Sequence, residues 1–281
     1  MPNPIATAVV PDADSGELDG LVLLHTEAQG VAVVTINQAG TGNAINGAVA
    51  KALKEAFETL HAAEAVRIVF LKGAGGTFCS GADPSWLKVV SEDWSEADLR
   101  EEALSVAAMY QALTAIPALT VALIEKEAIG GGAGLAAACD LAVATASTRF
   151  CFPEVSGGAV AAIVAPFVVN AIGPRQAKAL LATGRTFDAA HAEKIGLIHE
   201  MVDDTAGLNA AADRLTRQAM LNAPGAVAET KRMVWHVWTR AQDHGLMEDC
   251  AKRFAKSRFS DEGREGLNAA RQGRSPSWAG E

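Results

Sequence analysis

The chain has 281 residues, 49% of them hydrophobic and 20% charged, and carries a formal net charge of −9. So much apolar material at this length builds a sizeable core and excludes a disordered polymer. The acidic balance gives no electrostatic footprint for nucleic acid or an anionic membrane, so a polyanionic ligand has to be met by a local basic pocket. Cys79, Cys139, Cys151 and Cys250 lack the paired spacing of a zinc site, which points to a reducing cytoplasm. No apolar run reaches the roughly 18 residues needed to cross a bilayer, because residues 116–129 are interrupted by Glu125, Lys126 and Glu127.

Residues 1–18, with Pro2, Pro4 and Pro11 among small and acidic residues, read as a flexible leader. The runs 21–25 and 31–36 flank Gln29-Gly30 and predict a hairpin. A helix is expected from Asn43 to Leu60, with apolar residues at 45, 49, 53, 57 and 60 in helical spacing. A strand over 66–71 leads into Gly73-Ala74-Gly75-Gly76-Thr77-Phe78-Cys79-Ser80-Gly81-Ala82-Asp83. Residues 86–116 read as a loop and then a helix presenting Leu104, Ala108, Gln111 and Ala112, ended by Pro117.

A buried strand at 119–124 precedes a second glycine turn that places Gly130, Gly131, Gly132 and Gly134 within five positions. A helix to about Cys139 and a strand at 141–144 follow, and this β-α-β repetition predicts parallel strands with crossover helices. Phe150-Cys151-Phe152-Pro153-Glu154-Val155 comes next, with Gly157-Gly158 behind it and an apolar stretch at 159–172. Helices are expected at 174–183 and 189–195, a strand at 197–202, and three more helices at 208–222, 226–240 and 245–259. The chain thus divides into an α/β core over 19–205 and a helical region over 206–281.

Glycine suits a turn that needs positive φ or close backbone approach, and a helix starting there aims unpaired N–H groups at one point. Such a turn either lets a helix pack closely on a sheet or holds negative charge, including charge that exists only in a transition state. Two such turns after two strands suggest one oxyanion site. Neither turn carries Gly-x-Gly-x-x-Gly or a following Gly-Lys-Ser/Thr, which disfavours dinucleotide and P-loop binding.

Phe78-Cys79-Ser80-Gly81-Ala82-Asp83, Gly130-Gly131-Gly132 and Phe152-Pro153-Glu154-Val155, in this order and spacing, resemble the crotonase superfamily of enoyl-CoA hydratases and isomerases. Asn43-Ala44-Ile45-Asn46, Ala138-Cys139-Asp140, Gly184 to Ala189 with Ala192, Gly196-Leu197 and Ser260-Asp261-Glu262-Gly263 extend the likeness. The resemblance implies a spiral of ββα units with a helical C-terminal trimerisation region, assembled as a homotrimer or dimer of trimers. It implies an acyl-CoA thioester substrate, with coenzyme A entering as part of that substrate, no separate cofactor, and no nucleic-acid or membrane partner. By the same resemblance the N–H groups of Ala82 and Gly131 hold the thioester oxygen and Glu154 moves protons. Ser80, Ala82, Asp83, Trp86, Gly130, Gly131, Gly134 and Gly158 would line the substrate site.

Three departures matter. The family's hydratases commonly carry a first glutamate where Gly134 stands here, a glycine where Lys126 stands, and often Arg-Pro where Gln38-Ala39 stands. One carboxylate suits proton shuttling, whereas two divide water activation from α-proton transfer. The resemblance implies enoyl-CoA hydration first, and the missing glutamate raises double-bond isomerisation by Glu154 alone and a non-catalytic acyl-CoA-binding homologue as alternatives. Glu154 serving both halves of a hydration whose water is held by backbone groups, or a branched or carboxylated acyl chain using the room at Gly134, would reconcile hydration with the lost carboxylate, with Glu125, Glu127 or only water filling the gap. Lys126 is either a surface bulge or a substitute acid, and Lys256, Arg258, Arg271 and Arg274 remain as basic candidates for coenzyme A. His25, His61, His191, His199, His236 and His244 show no metal spacing. Asp83 and Asp140 read as local caps, Cys79 as a small filler, and Trp235 and Trp238 as packing.

Overall fold

The computed structural model describes residues 20–27, 29–86, 88 and 94–279. The leader expected at 1–18 and most of the stretch after Trp86 lie outside the described residues.

The strands are β1 (Val22–Thr26), β2 (Val31–Ile36), β3 (Ile68–Gly73), β4 (Leu119–Ile124), β5 (Glu127–Ile129), β6 (Leu141–Thr145), β7 (Arg149–Cys151), β8 (Phe187–Asp188) and β9 (Glu200–Val202). β1 and β2 form the expected antiparallel hairpin, and β2, β3, β4, β6 and β9 then pair in parallel, giving a six-stranded sheet in the order β1-β2-β3-β4-β6-β9. Its inner strands are continuous apolar runs because both faces are covered. Successive side chains alternate between those faces. Ala32, Val34, Ile36, Val69, Leu71, Ala122 and Ile124 therefore belong to one core, while Val31, Val33, Ile68, Phe70, Val121 and Leu123 belong to another.

The helices are α1 (Gly47–Ala62), α2 (Glu96–Ala115), α3 (Gly131–Ala138), α4 (Ala165–Leu181), α5 (Ala189–Ile195), α6 (Thr205–Met220), α7 (Pro224–Trp238), α8 (His244–Arg258) and α9 (Asp261–Gln272). The larger core lies under α1 to α5, and Leu208, Ala211, Ala212 and Ala219 of α6 close the smaller one. Arg67 fastens the C-terminal region to the sheet: its guanidinium donates to the carbonyls of Ala219, Met220, Asn222 and Trp278.

Several elements differ from expectation. α1 does not begin at Asn43; Asn46 caps it by accepting from Val49 N, and residues 43–45 form a link that bends at Asn43 and in which Ile45 bridges Ala82. α2 buries Met109, Tyr110 and Leu113, while Leu104 is 58% exposed. Gly173, at φ 73° and ψ 160°, breaks α4 just before Pro174. α9 falls within the helical region expected over 206–281, after the last of the separate helices predicted there, and Ser260 caps it by accepting from Gly263 N. Trp235 and Trp238, expected as packing, are 43% and 70% exposed within this chain and edge a cleft of about 440 Å³ behind α3.

A second sheet, β5-β7-β8, sets up the site. β5 and β7 are parallel with Ile129 opposite Cys151, so the residues that follow each strand leave at the same end.

The glycine turn that follows β3 depends on Asn43, which is fully buried at φ 59°. Its Nδ2 donates to Ala74 O at 2.9 Å and to Thr77 O, and its Oδ1 accepts from Gln38 N at 2.8 Å. Asn43→Ala removes these three bonds and a side chain that tolerates the left-handed conformation. It is expected to lower unfolding stability by about 3 kcal/mol, read as a fall in the urea midpoint at constant m-value. An unchanged midpoint would show that this asparagine does not hold the turn.

Candidate active site

Four chain segments meet at one end of the small sheet. Cys79 N donates to Glu127 O at 3.1 Å and Ile129 N to Cys79 O at 3.0 Å, which runs the first glycine turn alongside β5. Ile45 N donates to Gly81 O at 2.7 Å and Asp83 N to Ile45 O at 3.0 Å. In a parallel bridge of this kind the residue between, Ala82, turns its own N–H to the opposite side. Ala82 is exposed there.

On the second turn Gly130 N donates to Cys151 O at 2.8 Å. Gly130 adopts φ 49° and ψ −111°, a backbone that side chains rarely accept, and α3 starts immediately after it. The first intrahelical bond recorded is Gly134 N to Gly130 O at 3.0 Å, so the N–H of Gly131 is one of the amides a helix start leaves unpaired. A Cβ on Gly131 would lie 3.3 Å from Ile45 Cδ1, and one on Gly81 would lie 3.4 Å from Ile129 O. The two glycine turns are thus in van der Waals contact, each with a main-chain donor not used by the fold.

Glu154 follows β7 through Phe152-Pro153 and opens the 3-10 turn Glu154–Gly157. A Cβ on Gly130 would stand 3.1 Å from Glu154 Oε1, which places the carboxyl against the start of α3. Its Oε2 is buried and has no hydrogen-bond partner. Burial pushes this carboxyl above the usual carboxylate range, opposed only by its own backbone amide. A sheltered acid whose proton is held at raised pKa, beside unpaired amides, is equipped to move protons next to a developing negative charge.

The remaining expected site residues divide by what they touch. Ser80 Oγ donates to Thr41 O at 3.0 Å, so its hydroxyl ties the first turn to residues 41–42. Asp83 accepts from Ser85 N at 2.8 Å, from Ser85 Oγ and from Asn46 Nδ2 at 3.1 Å; these bonds hold its carboxyl below the usual range and shape the turn. Trp86, partly buried, meets Trp94 edge to face at 6.2 Å, and its Nε1 is buried without a partner. Gly158, at φ 74°, closes the 3-10 turn behind Glu154.

Gly134 requires a correction. A Cβ there would lie 2.5 Å from Val164 Cγ1 and 2.9 Å from the Tyr110 hydroxyl, so the room expected for a bulky acyl chain is already filled. Nor does Glu125 supply a second carboxylate, since it accepts from Thr205 Oγ1 across a separate small cavity. Lys126 is exposed at φ 62° in the tight link between β4 and β5, which makes it a surface turn. Cys79 is fully buried, its thiol pushed up to about 12 by burial, and a Cβ on Gly132 would lie 2.6 Å from Cys79 Cβ, so the cysteine fills space beneath α3.

Asp140 accepts from Thr120 N at 2.8 Å and pairs with Lys231 Nζ at 2.6 Å, a local role. Arg274 pairs with Glu265, and Arg258 lies over the Phe254 ring at 5.7 Å; Lys256 and Arg258 border a cleft of about 620 Å³ among the C-terminal helices. Tyr110 was not singled out in the sequence. Its signal was modest: the chain's single tyrosine, on a helix of mixed polarity.

A profile described as enoyl-CoA hydratase/isomerase matches residues 26–281. The enoyl-CoA hydratase ACTT6 of Alternaria alternata is 30% identical over 255 residues, covering 85% of this chain and 83% of that protein. Among solved structures, AtuE of Pseudomonas aeruginosa superposes with a TM-score of 0.88 at 33% identity, covering 92% of this chain and 100% of that one. An enoyl-CoA hydratase from Shewanella pealeana does so with a TM-score of 0.88 at 29% identity, covering 92% and 96%.

The burial of Glu154 has a consequence for stability. Because its folded pKa is raised, its contribution is fully present below the unfolded carboxylate pKa and is lost as pH rises through the folded value. Glu154→Gln removes that titration. The melting temperature of the variant relative to the unsubstituted protein is expected to climb as pH is raised from below the ordinary carboxylate pKa to neutrality. A difference independent of pH would contradict the dry setting of this carboxyl.

Proposed function

Because the chain belongs to the enoyl-CoA hydratase/isomerase family, we propose that it catalyses reversible addition of water to a 2-enoyl-CoA, with the thioester oxygen held by the N–H groups of Ala82 and Gly131. The observation that carries this reading is the Glu154 carboxyl, dry and unpaired at Oε2, packed against Gly130 where the donor turn begins. Negative charge grows on the thioester oxygen as the enolate forms, so two preorganised donors stabilise the transition state more than the substrate. Losing one donor of this kind costs about 3–4 kcal/mol in other acyl-transfer sites. Glu154 moves the α-proton and activates water in turn. Coenzyme A arrives as part of the substrate, and this chemistry asks for no further cofactor.

The hydratase names of the relatives favour hydration. One observation favours a second reading: Tyr110 and Val164 occupy the side of Gly134, which leaves Glu154 without a second carboxylate on α3 and suits isomerisation of a 3-enoyl-CoA by one acid/base. Assembly as a homotrimer or dimer of trimers belongs to the same proposal. It is supported by exposed apolar side chains along the C-terminal helices, with Val234, Trp238, Phe254 and Phe259 between 59% and 72% exposed. Cytoplasmic residence is proposed from the four free cysteines.

Incubation with crotonyl-CoA and with a 3-enoyl-CoA separates the readings by absorbance of the conjugated thioester. Hydration removes the crotonyl-CoA signal, isomerisation creates a signal from the 3-enoyl-CoA, and a binding homologue changes neither. Glu154→Gln is expected to lower whichever activity is observed by about a thousandfold. As the group works in its ionised form, kcat/KM should fall as pH drops through a pKa above the usual carboxylate value. Activity retained in Glu154→Gln would remove this residue from the mechanism.

A further inference from the structure

Tyr110 sends its hydroxyl to the point where α3 begins. Its side chain is 1% exposed, its ring is stacked on Phe167 with centroids 5.0 Å apart, and its hydroxyl donates to Gly131 O at 2.7 Å. A Cβ on Gly131 would lie 3.4 Å from the hydroxyl oxygen and one on Gly134 would lie 2.9 Å from it. The phenol therefore fits against Gly131 and Gly134 at the start of α3 because neither carries a side chain. Burial first, with Glu154 nearby, pushes its pKa well above the usual phenol value, so it stays a donor at working pH.

The peptide between Gly130 and Gly131 joins two residues without side chains, one of them at φ 49°, and its N–H has no helical partner. Its carbonyl, Gly130 O, accepts from Gly134 N at 3.0 Å, and with no side chain on either residue the remaining restraint comes from the bonds on either side. Upstream, Gly130 N is held by Cys151 O; downstream, Gly131 O is held by Tyr110. We propose that Tyr110 is a positioning residue: by gripping the Gly131 carbonyl it fixes the direction of the Gly131 N–H towards the thioester oxygen. This rests on the oxyanion reading given under the proposed function. The same hydroxyl, with Val164, closes the space at Gly134, so α3 cannot carry a longer side chain there without releasing Gly131.

The test is the carbonyl stretch of a bound acyl-CoA labelled with ¹³C at the thioester carbon, read by difference infrared spectroscopy. In the unsubstituted protein the band is expected to move to lower frequency on binding. In Tyr110→Phe the shift should be smaller, with crotonyl-CoA kcat about tenfold lower and KM nearly unchanged, as loss of one buried hydrogen bond implies. An equal shift and equal kcat in Tyr110→Phe overturn the proposal and make Tyr110 a packing residue. No shift in the unsubstituted protein overturns the oxyanion reading, and this proposal with it. Should Tyr110→Phe not fold, Gly134→Ala combined with Val164→Ala crowds the hydroxyl while keeping the tyrosine. That variant should show the same reduced shift, and a full shift in it overturns the proposal.

Discussion

The parallel pairing of β5 with β7, closed by Gly130 N on Cys151 O at 2.8 Å, decides where the rest of the site can be. Ile129 opposite Cys151 sends Gly130-Gly131 and Phe152-Pro153-Glu154 out of the same edge. The bridge from Cys79 to Ala128 brings the first glycine turn to that edge as well, and Ile45 braces Ala82 from behind. A slip of one residue in β5 would reverse which of its side chains face the core, and would carry the start of α3 away from Glu154. The donors and the acid are thus positioned by register, with main-chain bonds and few side chains.

This arrangement separates groups that stabilise charge from a group that dislikes it. In the proposed site the N–H groups of Ala82 and Gly131 carry fixed partial positive charge and would need no reorganisation when an oxyanion forms. Glu154 is placed where water does not reach Oε2, and a buried acceptor left unpaired costs about 1–3 kcal/mol. The surrounding cores, with Phe150, Phe152 and Leu135 almost fully buried, make that cost tolerable. Burial raises the pKa of this carboxyl above the usual carboxylate range, which favours the exchange of its proton with a reacting carbon.

The large sheet was legible because long β-branched runs such as Val31–Ile36 and Leu119–Ile124 have no other reading at their length. β5 and β8 were not, since strands of three and two residues carry no periodicity. The start of α1 was misjudged because Asn43 looks like a cap in sequence, and only its bonds to Ala74 and Thr77, more than thirty positions away, show that it is a turn residue. At the site, the glycine turns and Glu154 stood out through their motif. The occupancy of Gly134 did not: it is decided by Tyr110 and Val164, 24 and 30 positions distant, and no local pattern encodes that contact.

The most direct test is a crystal structure of the protein with a saturated acyl-CoA bound. The proposed site requires the thioester oxygen within about 2.7–3.1 Å of both the Ala82 and Gly131 nitrogens, with the Glu154 carboxyl over the neighbouring carbons. A thioester oxygen bound by neither amide, or a Glu154 carboxyl turned away from those carbons, would contradict it.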